Sequence, residues 1–193
     1  MRNKILLIDC FDSFTYNLKH YLEQFIFTDV IRIDNINLDE ISQYSAIVLS
    51  PGPKLPQDYP LLRQIIEKYY QHKPILGVCL GMQALGEFFG GNLHKLQDVK
   101  HGLSEPLFNI DSKHFIYQNL DQNICVARYH SWVVRSTPIL NKHFIFSAFD
   151  SNNELMSFYH KEHHITGVQF HPESIMTPDG LQMIKNWCLS LKL

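Results

Sequence analysis

Apolar runs alternate with segments of helical spacing in the first half of the chain, and this alternation restricts the folds that are open to it. Buried strands are predicted at residues 4–9, 30–33, 46–49 and 75–79. Helices are predicted between and after them at residues 15–25, 61–70 and 80–89. Strand and helix in this order favour an α/β fold, an open and mostly parallel sheet with helices on both faces.

Residues that start and stop helices support these three segments. Asp12 or Ser13 is predicted to cap the first helix, and Pro60 opens the second. The third helix is predicted to stop at Gly90-Gly91, because glycine readily adopts the left-handed conformation that ends helices. Each predicted helix therefore has at least one end signal besides its internal spacing.

The second half of the chain has a different pattern, in which short β-like runs are separated by turns. These runs lie at residues 106–110, 124–129, 132–134, 144–148, 155–159 and 165–170, and a closing helix is predicted at 180–191. The runs predict hairpins that extend the sheet with antiparallel strands. Residues 1–193 are together predicted to form one domain, since 193 residues suit a single core.

Charge and hydropathy limit the partners of the chain. Lys and Arg total 17 against 19 for Asp and Glu, a net charge of -2, which gives no electrostatic reason to expect nucleic acid or membrane binding. No stretch approaches the roughly 18 apolar residues of a membrane span, and Asp9 interrupts the first apolar run too early for a signal peptide. The four cysteines show no C-x-x-C spacing, which favours reduced thiols in a cytoplasmic protein.

The stretch Gly77-Val78-Cys79-Leu80-Gly81 lies between a predicted strand and a predicted helix. It is the cysteine version of the G-x-S-x-G nucleophile elbow, whose strained turn lifts the reactive side chain above the sheet. The positive end of the following helix would favour the thiolate form of Cys79, and the backbone N–H of Leu80 could stabilise an oxyanion. The alternative is a buried structural cysteine beside two glycines that serve packing.

A second stretch, Gln169-Phe170-His171-Pro172-Glu173-Ser174, follows another predicted strand. Pro172 restricts His171 to an extended backbone, in which His171 and Glu173 would face the same way. One ring nitrogen of His171 could then take the thiol proton while the other donates to Glu173. The alternative is a histidine at a strand end beside a solvated glutamate, but nucleophile, base and orienting carboxylate would all lie at carboxyl ends of strands, where open α/β sheets build their sites.

Three further features have a functional and a structural interpretation. The loop Ser50-Pro51-Gly52-Pro53 could present the Gly52 N–H as a second oxyanion donor or be a simple turn, and Arg128-Tyr129-His130-Ser131-Trp132 is most simply a hairpin turn. His160, His163 and His164 lie close together, but Lys161 and Glu162 between them favour an exposed hairpin turn. We therefore expect no metal site.

With these motifs the chain resembles the class I, triad-type glutamine amidotransferases over essentially its whole length. Within them it is most similar to the amidotransferase components of anthranilate synthase and aminodeoxychorismate synthase. The narrower likeness rests on three stretches, namely Asp9-Cys10-Phe11-Asp12-Ser13-Phe14-Thr15-Tyr16-Asn17, Arg128-Tyr129-His130-Ser131, and Gly167 to Ile175 with Thr177-Pro178-Asp179-Gly180.

The resemblance implies an activity and a set of site residues. Cys79 would be the nucleophile, His171 the general acid and base, and Glu173 the residue that orients it. Gly52 and Leu80 would supply oxyanion N–H groups. Gln83 would hold the amino-acid end of the substrate, with the loop at Gly52 and Lys54 and the backbone of Ser131 and Trp132 as further contacts. The substrate would be L-glutamine, hydrolysed through a glutamyl thioester, with no cofactor and with ammonia passed to a chorismate-binding synthase subunit.

Several positions depart from the family pattern. Lys54 stands where a second loop glycine is usual, and a left-handed backbone there would cost lysine roughly 1–2 kcal/mol over glycine. Met82 replaces a usual histidine, Trp132 a usual leucine and Cys10 a usual asparagine, and Leu103 stands where lysine is common. Met82 is also typical of the imidazole-glycerol-phosphate synthase amidotransferases, but those lack the Asp-Ser-Phe-Thr-Tyr-Asn stretch.

Other functions remain open from the sequence. One is an amidotransferase subunit of another pathway, such as imidazole glycerol phosphate synthase. A second is a free-standing cysteine hydrolase, and a third is a non-catalytic module that only binds a partner. An intact triad argues against the module, and Gln83 with Tyr129-His130-Ser131 argues against the free hydrolase. The choice between anthranilate, aminodeoxychorismate and both is also open.

Overall fold

A seven-stranded sheet forms the centre of the computed structural model, which describes residues 3–121 and 123–192. The strands are β1 (Lys4–Asp9), β2 (Phe27–Arg32), β3 (Ala46–Leu49), β4 (Ile75–Val78), β5 (Asn92–Lys95), β6 (Leu103–Pro106), β7 (Cys125–Arg128), β8 (Trp132–Arg135), β9 (Phe144–Phe149), β10 (Leu155–His160) and β11 (Ile165–Val168). The helices are α1 (Thr15–Glu23), α2 (Pro60–Tyr69), α3 (Leu80–Phe88), α4 (Leu140–His143) and α5 (Gly180–Ser190).

The order of strands in the large sheet is β2-β1-β3-β4-β11-β10-β9. Neighbouring strands from β2 to β11 run parallel, whereas the β11–β10 and β10–β9 pairs are antiparallel. The predicted α/β fold, a mostly parallel sheet extended by antiparallel strands from the C-terminal half, is therefore confirmed. Strand β11 returns to the centre of the sheet, where Gly167 lies opposite Gly77 of β4.

The central strands are apolar throughout because both of their faces are covered. Successive strand residues point to opposite faces, so Leu6 and Ile8 pack on the side of α2 and α3, and Ile5 and Leu7 on the side of α1 and α5. Each fully buried aliphatic side chain stabilises the fold by about 1.5–3 kcal/mol. The prediction of helices on both faces is confirmed.

Four strands, β5 to β8, lie outside the large sheet. Strand β5 pairs antiparallel with β8, and β6 pairs antiparallel with β7, in two small sheets. The expectation that all these runs extend the sheet as hairpins is therefore wrong. The strand predicted at 106–110 overlaps β6 only at Pro106, because Leu107 turns into the core and Phe108 forms an isolated bridge with Phe149. Strand β5 and helix α4 were not predicted, since β5 is largely polar and α4 is only one turn long.

The helix ends follow the prediction for α3 but not for α1. Helix α3 ends where Gly90 has φ 87° and the N–H of Gly91 donates to the carbonyl of Gly86. At α1 the N-cap is Phe14, without a side-chain cap, so the prediction of Asp12 or Ser13 as cap is wrong. The carboxylate of Asp12 instead accepts from the Phe14 N–H at 2.8 Å, and this hydrogen bond orders the loop before the helix.

The parallel arrangement brings several loops to one edge of the sheet. Strands β1, β3, β4 and β11 are parallel neighbours, so the segments that leave their carboxyl ends emerge side by side. These segments are the loop after Asp9, the loop from Ser50, the turn at Cys79 and the chain from Gln169 onward. The residues singled out in the sequence therefore meet at one end of the molecule.

Candidate active site

Cys79 lies in a strained turn between β4 and α3. Its backbone has φ 51° and ψ -101°, a region that non-glycine residues rarely occupy, and its side chain is almost fully buried. The Cys79 N–H donates to the carbonyl of Val168 at 2.8 Å, and its carbonyl accepts from the N–H of Gln83 at 3.0 Å. The turn is thus fixed on one side by the sheet and on the other by the first turn of the helix.

Two glycines allow this turn to be so tight. A β-carbon added to Gly77 would lie 2.6 Å from the backbone oxygen of Gly81, and one added to Gly81 would lie 2.7 Å from the β-carbon of Leu49. Any side chain at either position would therefore push α3 away from the sheet. The close approach expected for the two glycines of the elbow is what the backbone shows.

His171 and Glu173 contact each other through a turn. Nδ1 of His171 lies 2.7 Å from Oε1 of Glu173, and both side chains are buried. The extended conformation that we expected for this segment is found only at His171, which bridges to Ala127. Pro172 and Glu173 instead form a turn closed by the N–H of Ser174 on the carbonyl of His171, because proline suits the second position of such a turn.

The surroundings of His171 favour a charged imidazole. Burial opposes the charge, but the Glu173 carboxylate and the sulfur of Cys79 together raise the pKa of His171 well above 6.5. Its Nε2 is buried and has no hydrogen-bond partner among the described residues. The rings of Phe14 and Tyr129 pack edge-on against the imidazole, with ring centres at 5.8 Å and 5.0 Å. One nitrogen is therefore held by a carboxylate, and the other remains available for a proton transfer.

A cavity of about 250 Å³ opens beside the thiol. Its lining includes most of the residues that the sequence singled out for the substrate, which are Gly52, Lys54, Gln83, Ser131 and Trp132 together with Cys79. Leu80 does not line the cavity, since its side chain is buried against Gly52. As the first residue of α3, Leu80 has a backbone N–H without an intrahelical partner. The oxyanion donors predicted at Gly52 and Leu80 stay a prediction.

The loop that carries Lys54 differs from one expectation. Lys54 has no positive φ, so the left-handed backbone considered for this position is absent and no strain results. Lys54 is exposed, and Asp58 lines the same cavity. The cavity therefore has a cationic and an anionic side chain near its wall, opposite charges that suit the two charged groups of a free amino acid.

The segment at 128–132 is a largely buried polar network and not the predicted hairpin turn, because β7 pairs with β6 and β8 pairs with β5. Arg128 is almost fully buried and forms ion pairs with Glu105 and, at 2.7 Å, with Asp150. Burial and the neighbouring Arg128 lower the pKa of His130 to about 3, so its ring is neutral. Nδ1 of His130 then donates to the carbonyl of Trp132 at 3.1 Å while Nε2 accepts from Arg128 at 3.1 Å. This network fixes the backbone that lines the cavity, and no sequence pattern indicated the pairs with Glu105 and Asp150.

Gln169 is a further residue of the site whose role the sequence did not indicate. It is fully buried, and its side-chain Nε2 lies 3.6 Å from the sulfur of Cys79. Its Oε1 accepts from the side chain of Gln83 at 3.3 Å. Gln169 stands in the same stretch as His171 and Glu173, but no spacing rule predicts that a residue at the end of β11 reaches the thiol.

The group around His160 is a packed cluster. His160 is buried and its ring lies 5.2 Å from Phe89 and 5.1 Å from Phe144, so the expectation of an exposed turn holds for Lys161 and Glu162 but is wrong for His160. Within residues 3–121 and 123–192, no set of three or more His, Cys, Asp or Glu side chains is arranged to hold a metal ion. In the same part of the chain, no helix combines the length and the apolar character needed to cross a membrane.

Comparison with known proteins gives a consistent family assignment. The family model described as glutamine amidotransferase class-I matches residues 6–191. Anthranilate synthase component 2 of Cyanophora paradoxa is 40% identical over 192 residues, which cover 96% of this chain and 100% of the relative. Aminodeoxychorismate synthase component 2 of Escherichia coli is 37% identical over 187 residues, covering 95% of this chain and 98% of the relative.

A solved structure supports the fold. A Thermoplasma acidophilum protein described as a component of GMP synthase superposes with a TM-score of 0.87. The match covers 100% of this chain and 96% of that chain at 24% sequence identity. Identity this low supports the architecture alone.

Proposed function

This chain belongs to the class I glutamine amidotransferase family, and from that premise we propose that it is the glutaminase subunit of a chorismate-using synthase. In this role it hydrolyses L-glutamine to glutamate and delivers ammonia to a partner protein. Cys79, His171 and Glu173 are the catalytic residues of the proposal. The protein acts as one domain, needs no cofactor and works in the cytoplasm.

The observation that carries the proposal is the state of His171. Its Nδ1 is held by Glu173, its buried Nε2 has no described partner, and the sulfur of Cys79 is near enough to raise its pKa. A thiol beside a histidine that is oriented by a carboxylate is the arrangement that activates a cysteine nucleophile. A cysteine with only a structural role would not require the buried pair of His171 and Glu173 beside it.

In the first stage the Cys79 sulfur attacks the side-chain amide carbon of glutamine. A C–S bond forms, and the negative charge moves to the amide oxygen, where the backbone N–H groups of Gly52 and Leu80 stabilise it in the proposed oxyanion hole. The C–N bond then breaks as His171 gives its proton to the leaving nitrogen. Ammonia departs, and the γ-glutamyl group remains on sulfur as a thioester.

In the second stage water replaces ammonia. The now neutral His171 removes a proton from water, the oxygen attacks the thioester carbon, and the C–S bond breaks with the electron pair returning to sulfur. The products are the γ-carboxylic acid, which releases its proton to water to give glutamate, the Cys79 thiolate and the protonated histidine that began the cycle. Glu173 keeps the imidazole in one orientation through both proton transfers.

The cavity beside Cys79 would bind the amino-acid end of glutamine. Gln83, whose side chain is held by the carbonyl of Trp132 at 2.9 Å, offers a fixed amide, and Ser131 offers backbone groups. The Lys54 ammonium suits the substrate α-carboxylate, and Asp58 suits its α-ammonium. This distribution of charge favours a free amino acid over a peptide.

The need for a partner follows from the product. Ammonia that escapes into neutral water becomes protonated and is no longer a nucleophile, so a covered passage to the second active site is required. Segments that adjoin the site carry exposed apolar side chains, and these are Phe11, Tyr16, Val99, Leu103 and Ile175. Tyr129 connects their segments, since it packs on Phe14 and His101 and its hydroxyl lies 3.4 Å from Ser174. An interface here of more than about 1,000 Å² would be specific.

The acceptor is a chorismate-derived intermediate in this proposal. Relatives of similar identity are named for anthranilate synthase and for aminodeoxychorismate synthase, so the product can be either or both. The stretches from Asp9 to Asn17 and from Gly167 to Ile175 support a chorismate-using partner. In this proposal the synthase subunit, and not the glutaminase, determines whether anthranilate or aminodeoxychorismate is formed.

The test is glutamate release by the purified chain, measured alone and after addition of a chorismate-binding synthase subunit with chorismate. We expect a low rate alone and a much higher rate in the complex, with anthranilate or aminodeoxychorismate formed from glutamine. A lone chain that already turns over at the rate of the complex would favour a free cysteine hydrolase. A complex without glutamate release would favour a non-catalytic module, and activity only with another pathway's synthase would exclude the chorismate role.

A further inference from the structure

A buried relay of amide groups links the thiol of Cys79 to the wall of the substrate cavity. Gln169 Nε2 lies 3.6 Å from the Cys79 sulfur, Gln169 Oε1 lies 3.3 Å from Gln83 Nε2, and Gln83 Nε2 lies 2.9 Å from the carbonyl of Trp132. Both glutamines are buried, at 0% and 4% exposure for Gln169 and Gln83. None of the proposed steps of catalysis uses Gln169.

The hydrogen-bond network fixes which end of Gln169 faces the sulfur. The backbone carbonyl of Trp132 can only accept, so the side chain of Gln83 must present its NH₂ group there. The same NH₂ group then needs an acceptor, which makes the Gln169 atom facing it the carbonyl oxygen. The Gln169 NH₂ group consequently faces Cys79 as a donor. Reversing the amide would leave two donors in contact in a buried place, which costs about 1–3 kcal/mol.

A donor at this position acts on the charged form of the sulfur. Cys79 is only 6% exposed, so water solvates a thiolate there poorly. A neutral N–H donor stabilises the negative sulfur more than the neutral thiol or the thioester. It would therefore favour the thiolate before attack and again when the C–S bond breaks during deacylation.

We infer that Gln169 is a positioning residue that holds the thiolate of Cys79 by a side-chain hydrogen bond and couples it to Gln83. The inference rests on the proposed function, in which Cys79 is the nucleophile. Through the relay, the sulfur and the amide that faces the substrate cavity share one rigid set of hydrogen bonds. The backbone directly after β11 anchors this set, because the Gln169 N–H donates to the carbonyl of Met156 in β10 at 2.8 Å.

The test is the pH dependence of Cys79 alkylation by iodoacetamide in the full chain. Modification is followed by peptide mass spectrometry at Cys79, so that the half-buried Cys125 does not contribute. The variants are Gln169→Leu, which removes the donor, and Gln169→Glu, which has the same shape and, once ionised, only acceptors. The matched control is Thr166→Val, a buried polar residue of β11 whose hydroxyl contacts His114 and not the site.

We expect the pH midpoint of alkylation to rise by at least about one unit in Gln169→Leu, which makes the reaction roughly tenfold slower at pH values below both midpoints. Gln169→Glu is expected to shift it further, because a carboxylate repels the thiolate, and Thr166→Val is expected to match the wild type. The plateau rate at high pH reports access to the sulfur, so a purely structural disturbance changes the plateau and not the midpoint.

Unchanged midpoints in the Gln169 variants overturn the inference, and so does an equal shift in Thr166→Val. Circular dichroism and urea unfolding identify folded variants, and either Gln169 variant is sufficient if the other does not fold. Alkylation requires no glutaminase activity. Failure of the proposed function, seen as a wild-type complex that releases no glutamate, is therefore distinguishable from failure of this inference.

Discussion

Gly81, the second residue of α3, packs directly on Leu49, the last residue of β3. A β-carbon at position 81 would lie 2.7 Å from that of Leu49 and closer still to its backbone oxygen. The helix that begins at the nucleophile is thus seated on the sheet without any side chain between them. This contact keeps the first turn of α3 close to the carboxyl edge of the sheet, where the other site residues lie.

Gly81→Ala is expected to destabilise the fold and displace Cys79. Because the added carbon meets backbone atoms, the helix must shift, at a cost of about 1–3 kcal/mol. Urea unfolding measures the loss, and the rate of Cys79 alkylation reports the movement of the thiol. Wild-type values for both would show that the contact between Gly81 and Leu49 has enough space for a methyl group.

Cys79→Ser is expected to lower kcat for glutamate release at least about a thousandfold without unfolding the protein. A serine hydroxyl at neutral pH is not ionised by a neighbouring imidazole to the extent that a thiol is. The matched control is Cys125→Ser, another free cysteine outside the site, which is expected to keep full activity. Near-normal release by Cys79→Ser would exclude this cysteine as the nucleophile.

Glu173→Gln is expected to lower the pKa of His171. Burial lowers that pKa, whereas the Glu173 carboxylate and the Cys79 sulfur raise it, so an amide in place of the carboxylate removes one of the two raising effects. The pKa of His171 is higher in the folded protein than in the unfolded chain, so protonation of His171 stabilises the fold. This stabilisation is complete below pH 6.5 and is lost as the pH rises through the pKa that His171 has in the folded protein.

NMR titration of protein labelled with ¹⁵N-histidine measures this shift directly. Activity should fall less in Glu173→Ala than in His171→Ala, because the first change disturbs the orientation of the base and the second removes it. Equal losses in the two variants would mean that Glu173 does more than orient His171.

His114 is expected to make the fold sensitive to acid. Burial lowers its pKa to about 3, so the folded protein binds fewer protons than the unfolded chain between about pH 3 and 6.5. The neutral His114 therefore does not reduce the free energy of unfolding above pH 6.5. Below pH 6.5 the free energy of unfolding falls by about 1.4 kcal/mol per pH unit for this one proton. His130 and His160, whose pKa values are lowered to about 3 and about 4, act in the same direction.

His114→Gln removes one of these titrating groups. The free energy of unfolding is measured in urea from pH 6.5 to pH 4.5. It is expected to fall less steeply with pH in the variant, and the difference in slope corresponds to about one proton. The variant also loses the hydrogen bond to Ser147 at 2.8 Å, which lowers stability at all pH values alike. Parallel pH profiles for the two proteins would show that His114 does not titrate in this range.

Lys54→Ala is expected to raise the KM for glutamine severalfold and to leave kcat nearly unchanged. The Lys54 ammonium near the cavity wall would hold the α-carboxylate equally in the ground state and the transition state, and uniform binding affects KM alone. Lys185→Ala, an exposed lysine of α5, is the control. Because Lys54 has no left-handed backbone, Lys54→Gly should bring no gain in activity. An unaltered KM in Lys54→Ala would place the α-carboxylate elsewhere.

The strands and helices of the first half could be predicted because their signals are local. An apolar run such as Lys4–Asp9 indicates a strand buried on both faces, and the two glycines around Cys79 indicate a tight turn, whatever the rest of the chain does. The strand predicted at 106–110 was wrong for the opposite reason. Short β-like runs contain no information on their partners, and here Leu107 and Phe108 are placed by the core and by Phe149.

The sequence by itself determined the elbow at Cys79, the adjacency of His171 and Glu173, and the α/β fold, since each depends on residues a few positions apart. Only the tertiary structure decided that Gln169 reaches the thiol from 90 positions away and that Arg128 is buried between Glu105 and Asp150. Such contacts depend on which strands become neighbours, and β11 lies beside β4 only because the whole sheet buries both in its centre. Spacing along the chain encodes local geometry, whereas the free energy of burying distant segments together selects the pairs that complete the site.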